Sequence, residues 1–228
     1  MVCAWAVATG AGGQTPLSPP LSPFARAKAR ALIRNQLPCL GCHTLEGEGG
    51  SLAPDLSRAR TTGSAALIDS ITRDPQGTHP GTMMPRTPMP PATVVLVVSY
   101  LAGRRVSPPS GPSPPPHSPA SERDAKALYE HFCAACHGAQ GRGDGPNAGF
   151  LPVPPARHAD SAAMSLRTDD RLFDAVYGGG AVLGRSNRMP AFGWTLSRPE
   201  IRGLVRYIRA LCRCEGPTWS RPVGARSR

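Results

Sequence analysis

Residues 39–43 read Cys-Leu-Gly-Cys-His and residues 133–137 read Cys-Ala-Ala-Cys-His, and these two stretches decide how the chain is read. Each has the spacing of a c-type haem attachment string. Two thiols three positions apart at the end of a helix face the same side, so each can bond one haem side group. The next His then lies under the iron, and the haem cannot dissociate. His43 and His137 are therefore expected to bind iron through one ring nitrogen, while the other donates to a backbone carbonyl that fixes the ring plane. Pro54 is the candidate acceptor in the first case. In the second, Pro152, Pro154 and Pro155 are equally eligible.

Working outward, the same order of elements surrounds both strings: a helix, the string, a Gly/Pro-rich loop, a short helix, a Met-Pro pair and a last helix. The chain reads as a tandem repeat and as all-α. Residues 22–103 form the first domain and 122–214 the second, joined by a Pro/Ser-rich linker at 104–121 that favours extended polyproline structure. The lead helices are expected at Phe24 to Leu37 and Glu122 to Ala135. The last helix of the second repeat has Ser197 as N-cap, Glu200 as its box partner and Leu196 placed to staple onto Ile201. Its other face carries Arg198, Arg202, Arg206, Arg209 and Arg213, a solvated face or one that meets an acidic partner. Pro91 to Leu101 is rich in Val and resembles a buried strand. The parallel between Met84 to Tyr100 and Met189 to Tyr207 makes it a helix instead.

A thioether is the expected sixth ligand, because Met/His coordination raises the potential into the range of electron carriers. Met189 precedes Pro190 just before the last helix, and a residue before proline is held extended, which stiffens the loop. In the first repeat Thr82-Met83-Met84-Pro85 and Met89 offer three methionines. Met84 matches Met189 best, with Met83 and Met89 as alternatives, and Met89 corresponds better to Leu196. Met164 reads as packing. His131 is expected to face water. His79 and His158 lie in Pro-rich loops, and His117 lies in the linker.

The composition agrees with a chain that needs a prosthetic group. Only 5% is aromatic, and 25 Gly and 27 Pro imply much loop. The net charge of +11 could suit nucleic acid, anionic lipid or acidic proteins. It is spread out without a basic block interleaved with aromatics, which argues against nucleic acid. Residues 1–21 are a signal remnant or disordered N-terminus, the first 13 being apolar and uncharged, and 215–228 form a basic tail. Four of the 7 cysteines belong to the strings. Cys3 would leave with the signal, and Cys212 and Cys214 read as incidental thiols.

The alternatives to haem attachment for Cys-x-x-Cys-His are a disulfide or half of a zinc site, and both are disfavoured. A thioredoxin-like motif would need alternating strands and helices, and zinc would need the two pairs close together. Residues 128–146 (LYEHFCAACHGAQGRGDGP) and 189–211 (MPAFGWTLSRPEIRGLVRYIRAL) resemble class I cytochrome c domains, and the likeness extends over about 24–103 and 122–211. The resemblance implies crossing first and last helices, two covalently bound haem c groups and maturation in the periplasm. It also implies single-electron transfer between redox protein partners, as a shuttle or as a subunit of a respiratory or dehydrogenase complex. The rival is a di-haem peroxidase-like oxidoreductase, which would need an open iron site and a distal acid or base.

Overall fold

The computed structural model describes residues 20–103, 105–107 and 123–220. The protein is all-α. In the first half, α1 (Pro23–Asn35) starts on the Ser22 hydroxyl, which accepts from the Ala25 N–H at 3.2 Å. Proline at its first position gives up no hydrogen bond there. The helix buries Ala29 and Ile33 and stops just short of the first string. Pro38–Gly41 then tightens into a 3-10 turn, and the His43 N–H returns to the Cys39 carbonyl at 2.9 Å. A two-residue antiparallel ladder follows, with β1 (Thr44–Leu45) and β2 (Glu48–Gly49) pairing Thr44 with Gly49.

Helices α2 (Ala59–Thr62), α3 (Ala65–Arg73) and α4 (Pro75–Thr78) lead to α5 (Pro91–Ala102). The Val-rich segment is thus a helix, as its match to the other repeat requires. Its β-branched side chains disfavour a helix only weakly. Burial of Val94, Val97, Val98 and Leu101 in one apolar cluster with Ile33, Leu40, Leu45 and Ile68 outweighs that preference. Gly103, at φ 69°, ends the helix in the left-handed region.

In the second half the lead helix differs from the sequence expectation. Asp124 caps α6 (Ala125–Phe132), and Cys133, at φ −112°, separates it from the single turn α7 (Ala134–His137). The string therefore begins where the regular helix ends. Glu122, expected as the first helical residue, lies outside the described residues, as do Cys3, His117 and nearly all of the linker. Helices α8 (Ser161–Ser165) and α9 (Asp169–Gly178) precede α10 (Arg198–Cys212), whose Ser197–Glu200 capping box is fully formed. Leu196 and Ile201 share the second cluster with Leu128, Tyr129, Met164 and Leu204. In each half the last helix packs on the first, α5 on α1 and α10 on α6. Among the described residues no helix is long and apolar enough to cross a membrane.

The arginine face of α10 is less uniform than its periodicity suggests. Arg209 turns inward, pairing with Asp169 at 2.8 Å and donating to the carbonyls of Met164 and Arg167. Arg198 and Arg202 lie over the rings of Phe173 and Tyr177. Cys212 and Cys214 are joined as a disulfide rather than standing as separate thiols. Cys212 ends α10 and Cys214 follows two positions later, with their Cα atoms 5.1 Å apart, within disulfide reach.

Glu200 is 1% exposed and bonds Arg123 at 2.6 Å, fastening the approach to α6 onto the start of α10. Burial pushes its carboxyl up, but the Arg123 and Ser197 bonds outweigh that and hold it below the usual carboxylate range. A depressed folded-state value stabilises above the unfolded value of about 4.3, and that contribution is lost as pH falls through the folded value. Thermal melting of the wild type should therefore drop more steeply on acidification below about pH 5 than that of Glu200→Gln. The variant itself should cost about 1 kcal/mol at neutral pH. Identical pH profiles would show that the pair contributes nothing to the acid sensitivity.

Candidate functional site

Both string histidines are turned by their loops into the same relation with a carbonyl. His43 Nδ1 lies 2.7 Å from the Pro54 carbonyl, as the sequence suggested. His137 Nδ1 lies 2.9 Å from the carbonyl of Ala156, not from Pro152, Pro154 or Pro155. The acceptor stands 11 residues after His43 but 19 after His137, and that longer second loop is why the proline could not be picked out. Burial holds both imidazoles below the ordinary histidine range, with the carbonyl bonds opposing. In both rings Nε2 is left for a ligand.

The four string cysteines are unpaired. Burial pushes Cys39 up to about 11 and Cys42 and Cys133 up to about 12, and Cys136 is raised by the same cause. At Cys42 the nearby Cys136 sulfur adds to the effect, so the two strings lie close together across the halves. Burial thus disfavours the thiolate form at all four positions. Among the described residues no group of three or more His, Cys, Asp and Glu is gathered to hold a bare metal ion.

Around His137 the second half gathers two residues, His158 and Tyr129, that the sequence did not place there. His158 is buried and stacks on the His137 ring, centroids 4.1 Å apart, and its Nδ1 lies 2.9 Å from the Tyr129 hydroxyl. Desolvation, with His137 adding to it, pushes His158 well below the usual histidine range. The sequence placed His158 only in a Pro-rich loop; the folded loop shows it beside the ring. Met164 is fully buried in the core, as expected of packing.

The candidate sulfur ligands lie in half-buried loops. Met84 and Met189 are intermediate in exposure, Met83 is 37% exposed, and Met89 packs against the first core. Gln76 Nε2 bonds the Met84 carbonyl, and the Gly180 N–H bonds the Met189 carbonyl at 3.0 Å, so each loop is tied to its own half. His79 is exposed. His131, expected to face water, is half-buried on the ring edge of Phe132, and its Nε2 lies 3.4 Å from the Thr82 carbonyl of the first half.

Residues 120–208 match the family described as cytochrome C oxidase, cbb3-type, subunit III. Over that stretch the chain is similar to a cytochrome c domain. No curated protein matches the chain. A cytochrome c domain implies covalently bound haem c and a role in electron transfer. The residues present fit that group: two unpaired sulfurs three positions apart, followed by a ring held by its Nδ1. Beside the strings, Arg188 Nε is buried without a partner, a free donor suited to an anionic haem side group.

Proposed function

We propose that the protein is a di-haem c-type cytochrome, two cytochrome c domains in tandem, that passes single electrons between redox protein partners in the periplasm. The observation that carries this is the repetition of one arrangement: a Cys-x-x-Cys-His string at a helix end whose His Nδ1 meets a loop carbonyl, at His43 and again at His137. The family match covers the second arrangement only, and the first is assigned by its likeness to it.

Cys39 and Cys42 hold one haem and Cys133 and Cys136 the other, each through two thioethers. His43 and His137 supply the nitrogen ligands, and Met84 and Met189 the sulfur ligands. The haem supplies an iron that changes oxidation state by one electron. The surrounding chain fixes ligand orientation, excludes water and sets the potential. The Pro54 and Ala156 carbonyls keep each ring in the tautomer whose Nε2 faces the iron. A His and a Met would be available to each haem, which would leave no position reserved for a substrate and favours a carrier over an oxidoreductase. The family description names a subunit of an oxidase, and that supports an alternative setting in which this chain is the electron-transfer subunit of a respiratory complex. Arg198 and Arg202, on the outer face of α10, are candidate contacts for an acidic partner.

Intact-mass analysis of protein matured in a host that attaches haem should exceed the bare chain by two haem groups, and a redox titration should resolve two low-spin centres. A mass increment of one haem would refute the di-haem reading, and a large five-coordinate high-spin fraction would favour the peroxidase-like alternative.

A further inference from the structure

The two halves meet through their haem-attachment segments, and one amide lies between them. Asn147 belongs to the Gly145-Pro146-Asn147 turn, within the longer loop of the second half. Its side chain is completely buried, and both its oxygen and its nitrogen are bonded. Oδ1 accepts from the Ser51 N–H at 2.9 Å. Nδ2 donates to the Gly41 carbonyl, inside the first string, at 2.7 Å and lies 3.3 Å from Cys136 Sγ of the second. An amide nitrogen has two hydrogens, so one can serve each string.

The surrounding contacts come from the same functional segments. Beside Met189, Asn187 Nδ2 donates to the Leu37 carbonyl at 3.1 Å, and Arg188 donates to the Arg34 carbonyl at 3.1 Å and pairs with Glu48 at 2.7 Å. In the other direction, the Arg86 N–H donates to Thr195 Oγ1 at 2.9 Å, two residues past Met84. A Cβ at Gly41 would come within 2.1 Å of the Arg188 carbonyl, so the methionine loop of one half lies backbone to backbone on the string of the other. Two carriers joined only by a tether would not need buried bonds between their cofactor-holding loops.

The geometry points to Asn147 as the positioning residue that clasps the two attachment segments together, so that the haem sites work as one coupled pair rather than as two independent carriers. This rests on the di-haem reading. With both haems bound, the exchange would balance in itself: one electron would leave ferrous iron at one site and reduce ferric iron at the other, with no proton and no third reactant. Asn147, with Arg188 and Asn187, contributes a short and constant separation, on which tunnelling depends exponentially.

The test uses the full chain with its haems attached, compared with Asn147→Ala and with Asn147→Asp, which keeps the size and the acceptor but loses both donors. Intact mass counts haems, the visible spectrum reports methionine ligation, and NMR line shapes of half-reduced protein give the concentration-independent exchange rate. Both variants should retain two haems and the wild-type spectrum while exchange slows by roughly tenfold or more, because each leaves a buried carbonyl unpartnered at the contact. A wild-type rate in either variant would overturn the clasp. If neither matures, Asn187→Ala, which removes only the bond to Leu37, decides by the same measure: slower exchange supports the clasp and an unchanged rate overturns it. A chain bearing one haem refutes the di-haem reading, whereas two haems that exchange slowly in the wild type refute the coupling alone.

Discussion

Met189→Ala is expected to abolish the weak methionine-to-iron absorption band of one haem and to lower that haem's potential by on the order of 0.1 V or more, since axial ligands tune haem potentials over about 0.8 V. Loss of the thioether leaves water or a weaker donor on that side of the iron, which favours the ferric state. The other haem should keep its band, so the absorption change should be about half the total, a proportion that follows from the two-site reading. Met84→Ala should produce the complementary half. An unchanged spectrum in either variant would refute that ligand and, in the first repeat, return the choice to Met83 or Met89. The half-buried position of Met84 and the packing of Met89 against the core make Met84 the one to test first.

Protein made without haem attachment should be largely unfolded, with little helical signal and no cooperative melting transition. Each apolar cluster is small. The first comprises Ile33, Leu40, Leu45, Ile68, Val94, Val97, Val98 and Leu101, with no buried aromatic among them. Domains of this size bury only about 60% of the surface their unfolded chains expose and need additional support. A covalently held planar group at the strings would supply that support, which makes folding and haem attachment one coupled process. The comparison is circular dichroism and thermal melting of the haem-free chain against the mature protein. Native-like helicity with a sharp transition in the haem-free form would show that side chains suffice.

Much of the fold was legible in the residues because its signals are local. The capping box at Ser197 and Glu200 depends on atoms within one helical turn, and it stands as the sequence suggests. The helix at Pro91–Ala102 was harder, because Val94, Val97 and Val98 suit a strand equally well by propensity. Its order within the repeat settled it, not its composition. The break at Cys133, by contrast, left no sign in the periodic apolar pattern, since it is a change of backbone angles at a single residue.

The sites divide in the same way. The strings that anchor haem, and the choice of His43 and His137 as their histidines, follow from short fixed spacing. The chain therefore determined by itself an all-helical protein with haem-attachment chemistry, because those properties depend on neighbours a few positions apart. Tertiary structure alone decided which carbonyl receives His137, that His158 stacks beside it, and that Asn147 reaches Gly41 over a separation of 106 residues. Those contacts depend on how loops close in space, and loop residues with no periodic pattern carry no local record of what they will meet.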